Sequence, residues 1–68
     1  MKNLSAHVGR TIKSFRVKRD WRQKDLAERA SLPVRTVGRI ERGEVDLRVS
    51  TLAKIAKAFG KNPRDLLP

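Results

Sequence analysis

Apolar residues in this chain recur every three or four positions, and nowhere do they alternate cleanly with polar ones. Leu4, Val8, Ile12 and Phe15 make one such row; Leu52, Ile55, Ala56 and Phe59 make another. A period near 3.6 puts each row on one stripe of an α-helix, and the lack of a period of two leaves no pattern for a sheet. An all-α fold is therefore expected, with the stripes facing one another around a small core. The 68 residues fit a single domain, expected over 1–68. A domain of that size buries a modest core and is only marginally stable alone.

Five helical segments are expected. The first runs from Leu4 to Lys18 and stops in the polar run Lys18-Arg19-Asp20. Trp21 follows in the connection and reads as a core plug rather than a stacking surface for a base. The second spans Gln23–Ala30, with Leu26, Ala27 and Ala30 on one face and Asp25 in the first turn, where a carboxylate suits the helix dipole. The third spans Val34–Arg42, with Pro33 in its first turn and Gly43 after its end. The fourth spans Val49–Phe59 and ends at Gly60. A short fifth begins at Asn62-Pro63, an N-cap followed by proline, and brings Leu66 and Leu67 to close the core.

There is no cysteine, which excludes disulfides and thiolate metal sites, and the lone His7 reads as a solvated helix residue. No cofactor is expected. Lys plus Arg number 17 against 7 Asp plus Glu, for a net charge of +10. An excess of that size predicts an anionic partner, either nucleic acid or an acidic membrane. No apolar run reaches signal-peptide or membrane-span length. Together with the absence of cysteine, this points to the cytoplasm.

The third helix is the most informative. At about 100 degrees per residue, Val37 and Ile40 fall on one side, with Thr36 and Glu41 at its edges. Val34, Arg35, Gly38, Arg39 and Arg42 fall on the other. A glycine inside a helix costs about 1 kcal/mol relative to alanine. On a binding face that cost is offset if the helix backbone must come close to a partner. The major groove of B-DNA admits a helix, and the arginine fork matches guanine O6 and N7. A solvated basic face is the alternative. Two helices joined by a tight turn, Gln23–Ala30 and Val34–Arg42, have helix-turn-helix spacing.

The stretch "WRQKDLAERASLPVRTVGRIERG" resembles the phage-repressor type of helix-turn-helix domain, the lambda/434 repressor and Cro-like, XRE-type family. "QKDLAERA" followed after the turn by "RTVGRIERG" carries the match, which extends from about Val8 to Leu67. The resemblance implies a lambda-repressor-like five-helix bundle with the motif in helices 2 and 3, and a bacterial or phage origin. It implies base contacts at Val34, Arg35, Gly38 and Arg39: Val34 against a thymine methyl, Arg35 or Arg39 on guanine, with a phosphate contact the alternative for Arg39. It implies that Gln23, at the start of helix 2, holds a phosphate together with the helix N-terminus. Lys24 and Arg42 are phosphate candidates by position and charge. The resemblance also implies a salt bridge between Arg16 and Glu41 beneath the groove helix.

The chain departs from the family at several places. Ser31 stands where glycine is usual in the turn, and Pro33 where serine or threonine is usual. A left-handed Ser31 would carry about 1 kcal/mol of strain or more. Arg22 replaces a capping serine or threonine; it cannot cap but can reach a phosphate. Leu47-Arg48 replaces a proline-serine pair before helix 4, leaving Asp46 as the candidate cap.

The resemblance therefore implies a sequence-specific regulator of transcription, a repressor, bound as a homodimer to a double-stranded DNA operator. The dimer surface is expected around Leu47 and Asn62 to Pro68, by analogy. An antitoxin of the same fold, with a toxin protein as second partner, is the alternative. A basic module that binds RNA or membrane through charge alone fits less well, because stacking aromatics are scarce and each suits the core. No nucleophile stands beside a base, and no second carboxylate or histidine accompanies Glu41, so an enzyme is not expected.

Overall fold

The computed structural model describes residues 4–68. Four α-helices follow one another: α1 (Leu4–Lys18), α2 (Gln23–Ala30), α3 (Val34–Glu41) and α4 (Val49–Phe59). A single 3-10 turn, Pro63–Leu66, comes last. No strand occurs among the described residues. Each helix turns its apolar stripe inward, except that Leu4 at the start of α1 stays exposed. Ile12 of α1, Leu26 of α2, Val37 and Ile40 of α3, Ile55 of α4 and Leu66 of the last turn are fully buried. Each such side chain stabilises the fold by roughly 1.5–3 kcal/mol relative to leaving it in water. α3 lies against α1 and α2, while α4 lies against α2 and the 3-10 turn.

The fifth expected helix is not an α-helix. Its four residues close through bonds from the Asp65 N–H to the Asn62 carbonyl (2.9 Å) and from the Leu67 N–H to the Arg64 carbonyl (3.1 Å). Leu67 is already extended, so no residue remains for a full α turn. Leu66 is buried, whereas Leu67 stays 42% exposed, so only one of the two leucines closes the core. Arg42 lies just outside α3 as its C-cap. Asp46 does not cap α4; its carboxylate accepts from the Ser5 hydroxyl at 3.0 Å, and Arg48 occupies the cap position without a side-chain bond.

All four α-helices end in the same closure. Asp20, Ser31, Gly43 and Gly60 each adopt a left-handed conformation, with φ of 58°, 57°, 72° and 71°. In each case the left-handed residue and the one after it donate back to the last turn. Ser31 and Leu32 donate to the carbonyls of Glu28 and Ala27, and Gly43 and Glu44 to those of Ile40 and Arg39. This is the Schellman pattern, and glycine suits it because it has no Cβ to clash. Two of the four closures therefore use a residue with a side chain, at a cost of about 1 kcal/mol or more each.

Gly9 sets how α1 meets α3. A Cβ there would collide with the Ile40 carbonyl oxygen and stand 2.9 Å from that of Glu41. Only glycine lets the backbone of α1 rest on the end of α3.

Trp21 is half-buried and closes one corner of the bundle. Its ring stacks on Phe59 at 5.6 Å between centroids, and Phe15 meets Phe59 edge-on at 5.5 Å. Arg19 ties this corner together, donating to the Phe15 carbonyl at 3.0 Å and the Phe59 carbonyl at 2.9 Å, with its guanidinium 4.9 Å from the Phe59 ring centre.

Candidate nucleic-acid interface

α3 is held by its inner side and leaves its outer side open. Val37 and Ile40 are buried, while Val34, Arg35 and Arg39 are exposed, Val34 to 49%. The helix begins immediately after Pro33, whose φ of −64° is preset for this position and whose missing N–H costs little. The turn before it is fixed by the Ser31 closure. The exposed residues at 34, 35 and 39 thus stand on a rigid element rather than on a loop.

Beneath the end of α3 lies a buried carboxylate. Glu41, its side chain only 3% exposed, accepts from Arg16 Nε at 2.6 Å and Arg16 Nη2 at 3.0 Å, and from Gln23 Nε2 at 3.1 Å. Arg16 also donates through Nη1 to the Trp21 carbonyl at 2.7 Å. Charge and hydrogen bonds are satisfied on both partners, which a buried ion needs. The network joins α1, the connection after it, the start of α2 and the end of α3.

α2 begins at Gln23 without a side-chain oxygen at its cap, since Arg22 stands there. Asp25 supplies the acceptor instead: its carboxylate takes the Arg22 N–H at 2.8 Å. Arg22 and Lys24 are exposed. Gln23 is half-buried and reaches over α3, where its amide atoms stand 3.4 and 3.7 Å from the point a Gly38 Cβ would occupy.

Gly38 therefore faces side chains and not open space. It is buried, with Gln23 on one flank and Arg42 Nη1 3.2 Å from the same point. Arg42 itself is held by Glu44, through Nε at 2.7 Å and Nη2 at 3.3 Å. Glu44 also lies 3.8 Å from Arg39 Nε. The closure after α3 explains this, because its bond from the Glu44 N–H to the Arg39 carbonyl folds Glu44 back along the last turn. The hydrogen bond from Arg42, and the arginine charge behind it, hold the Glu44 carboxyl below its ordinary pKa; the same bond raises that of Arg42. These contacts of Glu44, Gly9 and Gly38 were missed by sequence reasoning. A glycine inside each of two helices was the available signal for the last two.

Among the described residues, no group of His, Asp and Glu side chains gathers as a metal site. No helix in them is long and apolar enough to cross a membrane.

The comparisons with known proteins agree with this geometry. A family model described as Helix-turn-helix (HTH_3) matches residues 12–66. No curated protein matches the sequence significantly. Among solved structures, the restriction-modification controller protein C.AhdI from Aeromonas hydrophila is similar, with a TM-score of 0.89 and 27% identity over 93% of this chain and 96% of that one. So is the hypothetical transcription factor NHTF from Neisseria, with a TM-score of 0.90 and 31% identity over 96% of this chain and 75% of that one. The clp gene regulator ClgR from Corynebacterium glutamicum gives a TM-score of 0.86 and 25% identity over 93% of this chain and 67% of that one. With the family model covering most of its length, the chain belongs to the XRE-type helix-turn-helix family of DNA-binding transcription regulators.

Proposed function

We propose that this protein is a sequence-specific repressor that binds duplex DNA as a homodimer and lays α3 in the major groove. The observation that carries this reading is the division of α3 into a buried apolar side, Val37 and Ile40, and an exposed side bearing Val34, Arg35 and Arg39. Val34 packs on a thymine methyl, and Arg35 and Arg39 read guanine. Gln23, Arg22, Lys24 and Arg42 hold phosphates on either side, which fixes the register without reading sequence. Gly38 lies on the same face but is reachable by a base only once Gln23 or Arg42 moves aside.

A homodimer supplies the second half-site that so few base contacts require. Two-fold dimers of this motif read half-sites about 34 Å apart. The face for it is an apolar groove of about 270 Å³ lined by Leu4, Val8, Leu47, Leu52 and Leu67. Val49, 79% exposed, stands on the same helix as Leu52. A second copy covers this groove in the repressor reading; a toxin enzyme covers it in the antitoxin reading. Co-purification with a different chain favours the latter. The protein acts in the cytoplasm, where its operator is.

Selection of bound sites from random duplexes at two salt concentrations tests the proposal. Enrichment of one sequence with two-fold symmetry is expected. Binding that is equal for all sequences and vanishes with salt would reduce the protein to a charge-driven binder.

A further inference from the structure

Glu44 is a carboxylate set among the exposed arginines at the end of α3. A fixed reversal of the chain brings it there. Gly43 is left-handed, and the Glu44 N–H closes on the Arg39 carbonyl at 3.0 Å. A Cβ on Gly43 would stand 2.8 Å from the Ala6 Cα, so the reversal is also seated against α1. The carboxylate treats its two arginines differently. Arg42 donates Nε and Nη2 to it, at 2.7 and 3.3 Å. Arg39 comes no closer than 3.8 Å, through Nε, which is beyond hydrogen-bond length. Glu44 therefore acts on Arg39 through charge and takes none of its protons. The three side chains are about half exposed, so these contacts contribute little to stability.

We propose that Glu44 is a specificity-determining residue for DNA: it turns Arg39 away from phosphates and toward guanine. The inference rests on the DNA-binding reading above and names a residue that reading does not use. Arg39 meets two kinds of acceptor in a duplex. A phosphate carries a full negative charge, whereas guanine O6 and N7 are neutral. A carboxylate beside the guanidinium repels the first and not the second. Its separation from Arg39 lies well inside the screening length of about 8 Å at physiological salt, so the repulsion is felt there. The Arg39 fork spends no proton on Glu44 and keeps its planar geometry for the two guanine acceptors. On a sequence with no guanine in reach, Arg39 is left with the phosphate alternative, which Glu44 makes unfavourable. Binding is thus weakened at sites other than the operator.

Glu44→Gln in the full chain tests it, with Glu28→Gln as the control. Glu28 is exposed on α2, and its replacement changes the net charge by the same amount. Both variants keep the wild-type melting temperature. Relative to Glu28→Gln, Glu44→Gln binds random duplex about tenfold more tightly and the selected operator less than about twofold more tightly. The operator-to-random ratio falls accordingly, and the preference for guanine weakens at one base pair. Raising the salt removes the gain on random duplex, as a phosphate contact requires. In an Arg39→Ala background, Glu44→Gln leaves the ratio as it was. Equal tightening on operator and random duplex overturns the proposal, because Glu44 is then one more negative charge. So does a fall in the ratio that persists in Arg39→Ala, which assigns the effect to another residue. A wild-type chain that prefers no sequence fails the DNA-reading proposal and this one together; a wild-type preference that Glu44→Gln leaves intact fails this one alone.

Discussion

Gln23 and Glu41 are 18 residues apart and joined by a 3.1 Å hydrogen bond, on the carboxylate that Arg16 clamps from below. One buried anion thus sets both the position of α3 and the direction of the side chain proposed to hold a phosphate.

Glu41→Ala is expected to destabilise the fold by about 3 kcal/mol, because it leaves the Arg16 guanidinium, 11% exposed, without its partner. Urea unfolding with circular dichroism measures it. A transition midpoint equal to that of the wild-type chain would mark Glu41 as dispensable to the fold.

Arg35→Ala is expected to lose about 1–3 kcal/mol of discrimination at one base pair while leaving stability unchanged, because the side chain is exposed on α3. Titration of operators mutated one base at a time measures it. Equal losses on operator and random DNA would make Arg35 a backbone contact.

Ser31→Gly is expected to stabilise the protein by about 1 kcal/mol, and Asp20→Gly by a similar amount, since both residues are left-handed at helix ends. On a domain this small the melting temperature rises by about 4–8 °C for each. Unchanged melting would show that the closures carry no strain.

Glu44 titrates below its ordinary value because Arg42 hydrogen-bonds its charged form. A carboxylate lowered by folding stabilises the native state above its unfolded pKa, and that contribution is lost as pH falls through the lower native value. NMR titration should find the carboxyl back at its ordinary pKa in Arg42→Ala. Glu44→Gln should lose less stability than the wild-type chain as pH falls through and below the ordinary carboxylate range. Identical acid limbs would show the pair to be absent in solution.

Val49→Asp and Leu67→Asp are expected to weaken the proposed self-association at least tenfold without unfolding the monomer, because Leu67 lines the apolar groove and Val49 is exposed on the helix that carries Leu52. Sedimentation equilibrium checks this. Dissociation constants unchanged in both variants would put the dimer face elsewhere.

The helices were legible because their apolar spacing is regular and their ends carry local signals. Gly43 and Gly60 mark two closures directly, and the rows through Ile12 and Ile55 define which side is buried. The other two closures, at Asp20 and Ser31, carry no such mark. The last element was read as a helix because Asn62-Pro63 suits any helical start; its length, not its start, makes it a 3-10 turn. Asp46 suggested a cap by residue type, but type does not reveal that Ser5, 41 positions away, competes for it. In the candidate site, the wheel separates the two sides of α3 but treats each residue as if its helix stood alone. Gly38 lies on the outer side of that wheel and is still buried, because Gln23 comes across from α2. Likewise Glu44 meets Arg39 and Arg42 only after the chain reverses at Gly43.

At Gly9 one main chain bears directly on another, with no deformable group between α1 and the carbonyls that finish α3. The tilt of α3 is then a property of two rigid backbones. If α3 reads DNA as proposed, exchange of the residues at 34, 35 and 39 changes the operator while the aim of the rod stays as it is. A bulkier residue at position 9 would re-aim α3 and alter every contact it makes at once.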